Sequence, residues 1–168
     1  MINIKIMCVG KVKDKNLLNL IDEYKKRISK YAKLEIINVD DEKLSPSLSK
    51  LDMENVKIKE SNKIINKLEK ISKPYIIALD LTGNNLTSIQ FSEKIENITL
   101  NGYSTIVFLI GGSLGMSNEL LEMCNYKVCF SKLTFPHQLI RLFLLEQIFR
   151  AFKISNNETY HHLSLIHI

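Results

Sequence analysis

The stretch STIVFLI, Ser104 to Ile110, carries no polar side chain after Thr105, so as a strand it presents apolar groups to both faces. A strand of that kind needs cover on each side, which crossover helices between parallel strands provide. The rest of the chain is patterned to supply them. Ile2, Ile4 and Ile6 alternate with polar residues and end at VGK, a first strand. LEIINV (Leu34 to Val39) is a second, YIIALDL (Tyr75 to Leu81) a third, and YKVCFS (Tyr126 to Ser131) a fifth after STIVFLI. Between them, helical spacing runs through Leu17, Leu20, Ile21, Tyr24, Ile28 and Tyr31, then Val56, Ile64, Ile65, Leu68 and Ile71, then Phe91, Ile95 and Ile98. Ser117 is placed to cap a short helix with Glu119 in its first turn. The expectation is α/β: one domain over residues 1–162, a mostly parallel sheet of five or six strands, and helices on both faces.

Composition narrows the function classes. The chain has 168 residues, enough for one real core, and no apolar run near the roughly 20 residues that span a bilayer. MINIKIMCVGKV is broken by Asn3 and Lys5, unlike the core of a signal peptide, so a cytoplasmic location and no membrane partner are expected. Cys8, Cys124 and Cys129 show no CxxC spacing; they read as small buried thiols, and no metal site is expected. The net charge of +5 suits a phosphate-rich partner without establishing one.

Ligands of open α/β sheets sit at the carboxyl ends of strands, and three such ends carry suggestive residues: ALDLTG, LIGGSLG and FSKLTFPH. Gly111, Gly112 and Gly115 would let a ligand approach backbone amides, although a tight strand-to-helix turn uses the same residues. The pattern is not the GxGxxG fingerprint, which disfavours an ordinary dinucleotide site. SKLTFP would set successive N–H and C=O groups along a loop, the groups that read an adenine edge. Pro136 stiffens that loop and launches the next helix.

That helix is apolar on more than one side. Ile140, Leu144, Leu145, Ile148, Ala151 and Phe152 share one face, while Leu139 and Phe143 lie on another, which points to a core and a subunit interface together. Glu146 and Arg150 are spaced for an intrahelical pair. Arg141 projects with the apolar face and is expected to meet an anionic partner or a pocket that supplies one. Tyr160, His161 and His162 gather after the helix.

FLIGGSLG, FSKLTFPHQLIRLFLLEQIFRAFKI and YHH together resemble the bacterial large-subunit ribosomal RNA pseudouridine-N3 methyltransferases of the SPOUT superfamily, with a likeness running from INIKIMCVGKVKDK to YHH. The resemblance implies a C-terminal trefoil knot, which general threading rules disfavour. It also implies S-adenosylmethionine as cofactor, a homodimer, and a pseudouridine in a stem-loop of large-subunit rRNA in the ribosome as substrate. On the same ground Leu79, Gly111, Phe130, Ser131, Lys132, Leu133, Thr134 and Phe135 hold the cofactor. Glu146, Arg150, Tyr160 and His161 are the catalytic group, with His161 as proton acceptor or orienter, Tyr160 positioning the base, and Arg150 on phosphate or on Glu146. Two departures stand out. His162 occupies a position usually Arg or Lys in the family. The chain then continues LSLIHI, Leu163 to Ile168, which matches a translation of the transposon end used in preparing sequencing libraries. That tail reads as a sequencing artefact, with a natural apolar tail as the alternative. Two other readings remain open at this point: a related enzyme methylating another RNA, and a non-catalytic ribosome-binding protein. No separate RNA-binding module is recognisable.

Overall fold

In the computed structural model, residues 1–160 are described. Five strands, β1 (Ile2–Val9), β2 (Ala32–Val39), β3 (Tyr75–Asn84), β4 (Thr105–Ile110) and β5 (Tyr126–Val128), form one sheet in the order β2-β1-β4-β3-β5. Every pairing is parallel. The strand STIVFLI is β4, central and buried at all six of its residues. It divides its side chains as its composition requires. Ile106, Phe108 and Ile110 join Ile4, Ile6 and Cys8 of β1 on one face, and Val107 and Leu109 join Met7 and Val9 on the other.

Helices cover both faces. On the first lie α1 (Lys15–Ile28), α3 (Ser88–Leu100) and α5 (His137–Ser155), through Ile21, Ile28, Phe91, Ile95, Ile98, Leu144, Leu145 and Ile148. On the second lie α2 (Lys50–Leu68) and α4 (Asn118–Met123), through Ile64, Ile65, Leu68 and Leu120. Local chemistry starts each helix where the sequence signals it. Asp14, Ser49, Thr87 and Ser117 accept from amides of the first turns, and Ser49–Asp52 and Thr87–Gln90 close reciprocal capping boxes. Gly102, with φ +92°, ends α3 where the sequence places a turn.

Strand ends differ from the sequence reading in two places. β5 stops at Val128 instead of running to Ser131, because Cys129 and the residues after it turn away into a loop. β3 runs on to Asn84, curling so that both Leu79 and Asn84 pair with Val128. A Cβ on Gly83 would lie 2.6 Å from the Lys127 carbonyl carbon, so this curl is possible only with glycine there.

Arg141 corrects an expectation. It is buried, 2% exposed, but its partners are neutral: Nη1 donates to Asn38 Oδ1 at 2.8 Å and Nη2 to the Gly10 carbonyl at 3.2 Å. Its Nε has no partner among the described residues. The acceptors at the ends of β1 and β2 are dipoles rather than charges, and they pin the start of α5 to the sheet. The same guanidinium opposes, without outweighing, the burial that pushes the Cys8 thiol up to about 11. All three cysteines are free; Cys8 and Cys129 are buried and Cys124 half-buried. No helix among the described residues is long and apolar enough to cross a membrane.

Candidate active site

The carboxyl ends of β3, β4 and β5 open into a cavity of about 940 Å³, closed on one side by the first turn of α5. The volume lies in the range that takes a nucleoside-sized ligand. Leu79, Gly111, Phe130, Ser131, Leu133, Thr134 and Phe135 all line it. Lys132 belongs to the same loop, but its side chain is exposed outside the wall.

At Gly111 and Gly112 the turn has no room for a side chain. A Cβ on Gly111 would lie 2.9 Å from Met116 Cγ and 3.1 Å from the Gly115 carbonyl carbon. One on Gly112 would lie 2.7 Å from Glu60 Oε1. Gly115 takes φ +84° and donates back to the Gly112 carbonyl, which folds the turn before Ser117 begins α4. The facing loop is stiff for a different reason. Ser131 Oγ accepts from the Leu133 amide at 3.0 Å, and Cys129 Sγ donates to the Ser131 carbonyl. Asn85 Nδ2 donates to the Cys129 carbonyl. Pro136 then ends the loop in an extended conformation, and its carbonyl accepts from Leu139 and Ile140 as α5 begins. Within the described residues, no hydrogen bond engages the amides of Lys132, Thr134 or Phe135. A preformed loop with open amides opposite a glycine-rich turn, whose Ser113 and Leu114 also line the cavity, fits a purine nucleoside bearing a short polar tail, the shape of S-adenosylmethionine.

A second group lies elsewhere on α5. Arg150 Nη2 donates to Glu146 Oε1 at 2.7 Å, and the Tyr160 hydroxyl donates to the same oxygen at 3.2 Å. The Arg150 guanidinium also lies over the Tyr160 ring, 5.0 Å from its centroid. Burial, then the Glu146 carboxylate, raises the Tyr160 phenol to about 12, so it stays protonated and donating through neutral pH. Sequence reasoning grouped these three residues with the cofactor loop, but one chain does not bring them together. Ile140 is the last α5 residue in the cavity wall, and Arg150 stands about 15 Å further along the helix axis. His161 and His162 lie outside the described residues, as does the tail from Leu163.

The sequence reading missed several residues of the wall. Asp80 follows Leu79 at the end of β3, and its carboxylate accepts from the Thr82 amide and hydroxyl. Its signal was available, since ALDLTG ends a strand. Lys57 reaches the cavity from α2, and nothing in its local sequence separates it from the neighbouring surface lysines. Glu60, one turn further, is buried behind Gly112 and accepts from the Glu42 amide at 3.0 Å. Burial raises its carboxyl above the ordinary range.

Comparison with known proteins decides the family. The model described as "Predicted SPOUT methyltransferase" matches residues 2–161, nearly the whole chain. This chain belongs to the SPOUT methyltransferase family. A SPOUT relative from Clostridium perfringens, named "Ribosomal RNA large subunit methyltransferase H 1", is 50% identical over 159 residues, covering 95% of this chain and 99% of the relative. One from Clostridium botulinum, named "Ribosomal RNA large subunit methyltransferase H", is 54% identical over 160 residues with the same coverage. Among solved structures, a probable methylase family protein from Haemophilus influenzae superposes with a TM-score of 0.51 at 14% identity, over 98% of this chain and 74% of that one. At that identity the likeness concerns the fold alone. The chain is thus an enzyme of the SPOUT methyltransferase family, with the α/β architecture its sequence predicts.

Proposed function

We propose that this protein methylates ring nitrogen N3 of a pseudouridine in a large-subunit rRNA stem-loop, using S-adenosylmethionine, as a cytoplasmic homodimer. The observation that carries the reading is the cavity: a turn where Gly111 tolerates no Cβ, facing a stiff loop with open amides, in a chain about half identical to named large-subunit rRNA methyltransferases. Leu79, Gly111 and the loop from Phe130 to Phe135 would hold the cofactor, with Lys132 contributing backbone groups. When bound, the cofactor supplies an electrophilic methyl group on a sulfonium sulfur.

Pseudouridine N3 carries a proton, so its lone pair becomes a good nucleophile only as that proton leaves. The chain's task is to hold the base in line, exclude water and accept the proton. Tyr160, with its hydroxyl hydrogen on Glu146, offers its ring edge and its hydroxyl oxygen, an acceptor, to orient the base. Glu146 fixes Tyr160 and Arg150 at once, leaving the guanidinium next to the site for phosphate. His161, adjacent to Tyr160, is assigned as proton acceptor or orienter.

The separation of the two groups along α5 favours a dimer in which one copy's Glu146–Arg150–Tyr160 group serves the other copy's cavity. Exposed apolar residues support such a contact. Leu139 and Phe143 of α5 are 39% and 40% exposed, Leu18 and Leu20 of α1 are 39% and 44%, and the Phe135 ring packs edge-on to Phe143 at 5.5 Å.

The test is methylation of ribosomes from cells lacking the modification, with labelled S-adenosylmethionine and mass identification of the nucleoside. The expected product is N3-methylpseudouridine. Label on a tRNA nucleoside, or cofactor binding without transfer to any rRNA, would overturn the substrate assignment. Loss of cofactor binding altogether would overturn the enzyme reading of the cavity.

A further inference from the structure

The positive charge of this protein is not spread evenly. The last turn of α1 carries Lys25, Lys26 and Arg27, and Lys30 follows in the turn to β2. Lys153 and Arg150 of α5 come to the same place. The Arg27 guanidinium lies 4.9 Å from the Tyr24 ring centroid and 5.8 Å from that of Phe149. Lys153 Nζ stands 5.5 Å from the Phe149 centroid and 2.6 Å from Glu158, whose other carboxylate oxygen accepts from the Tyr31 hydroxyl. Lys30 is near enough to help lower the Glu158 carboxyl, after the larger effects of Lys153 and Tyr31. The Phe149 ring in turn meets Tyr160 edge-on at 5.0 Å.

Arg27, Arg150 and Lys153 therefore lie on one aromatic platform that is continuous with the Glu146–Arg150–Tyr160 group, with Lys30 near its edge and Lys25 and Lys26 beside Arg27 on α1. Glu23, Glu146 and Glu158 offset three of them. With Asp22 of α1 counted as well, the remainder for the six cations is 6 − 4 = +2. Lys25, Lys26 and Lys30 make no salt bridge among the described residues. Helix polarity accounts for only part of this, since the carboxyl end of α1 carries roughly half a negative charge and acts within its last turn. The same polarity accounts for Lys153 in the last turn of α5, but not for Lys30, which lies past the end of α1, or for Arg150, which lies before the last turn of α5.

We propose that this surface, from Lys25, Lys26 and Arg27 through Lys30 to Lys153, docks the phosphate backbone of the substrate RNA stem-loop beside the Tyr160 group. The proposal rests on the rRNA methyltransferase reading and names the part of the protein that holds the RNA. Stacked guanidinium and ammonium groups next to the exposed Lys26 and Lys30 and the half-buried Lys25 suit a backbone track, which needs charge and reach but no base reading. A single strand or splayed loop lying there would bring its target base toward Tyr160, where unstacked bases can be held.

The experiment compares three full-length proteins: wild type, the triple variant Lys25→Glu, Lys26→Glu, Lys30→Glu, and a control triple variant Lys50→Glu, Lys67→Glu, Lys70→Glu. The control residues are exposed on or just after α2, on the opposite face of the sheet. Co-sedimentation with unmethylated ribosomes reads docking without turnover, and KM, kcat, cofactor Kd and melting temperature are measured alongside. The expected result is a rise of about tenfold or more in ribosome Kd and KM for the first variant, and a log K against log salt slope shallower by about 2. Its kcat, cofactor Kd and melting temperature stay at wild-type values. Equal losses in both variants would mean that only bulk charge matters and would overturn the proposal, as would an unchanged salt slope. If the glutamates impair folding, the corresponding triple glutamine variant is read by the same slope. Failure of wild type to methylate rRNA would count against the activity, while co-sedimentation would still decide the surface.

Discussion

Arg141 Nη1 and Asn38 Oδ1, 103 positions apart in sequence, lie 2.8 Å apart and join the first turn of α5 to the end of β2. The guanidinium is buried and meets no carboxylate among the described residues, so its few neutral acceptors matter more than they would at a surface. Asn38→Ala should cost about 1–2 kcal/mol, the scale of a lost hydrogen bond to a charged group at a partly exposed acceptor. Urea unfolding reads it directly. Asn38→Asp should retain most of the stability at neutral pH, and a loss as large as that of the alanine variant would contradict the account.

Three glycines predict three different outcomes. Ala at Gly83 would press on the backbone of Lys127 and Val128 at 2.6 to 2.8 Å, where nothing flexible can move aside. A loss of about 2–3 kcal/mol is expected. Ala at Gly102 meets open space and suffers only the positive φ, about 1 kcal/mol. Ala at Gly111 presses on the Met116 side chain and the Gly115 backbone, and should displace that turn, with a smaller loss of stability than at Gly83 and with S-adenosylmethionine weakened about tenfold. Thermal denaturation and calorimetric titration of the three variants separate these effects. Equal melting temperatures for the Gly83 and Gly102 variants would refute the close approach of β3 to β5.

Alkaline stability follows from the raised pKa values. Burial lifts Cys8 and Cys124 from 9.0 to about 11, and burial with Glu146 lifts Tyr160 from 10.0 to about 12. Each group favours its neutral form more in the folded chain than in the unfolded one. The stabilisation is whole below pH 9 and is lost as pH climbs through 11 and 12. Melting temperature should therefore fall above pH 9, and Tyr160→Phe should lessen the part of the fall above pH 10. An identical profile for that variant would mean that Tyr160 is solvated in the folded protein.

Phe143→Glu and Leu139→Glu place charge on the exposed apolar side of α5 without touching the face buried in the core. Each should weaken self-association by about thirtyfold or more. Sedimentation velocity is the measurement. A monomeric wild type at micromolar concentration would remove the dimer from the proposed function, and with it the sharing of sites between copies.

Much of the architecture was legible because β4 is apolar on both faces and its flanking helices carry periodic apolar stripes and their own caps. Those are local properties, set by a residue and its near neighbours, and so were the glycine turn and the proline-ended loop. Motif resemblance supplied the family, and the match over residues 2–161 bears it out. What local pattern could not contain is distance between segments. Arg141 looked like a cation in need of an anion, because burial shows in the spacing while the identity of a partner 103 residues away does not. Lys57 and Glu60 looked like surface charges of α2 until the sheet order brought that helix against Gly112. The resemblance names Glu146, Arg150 and Tyr160 as a catalytic group, and only the rise of α5 shows that one chain holds them apart from the cavity. Which segments are strands, helices and tight turns follows from the order of residues alone, since those depend on side-chain period and backbone freedom. The tertiary structure decided which charges face each other, because that depends on how far parallel strands and their crossovers carry residues through space.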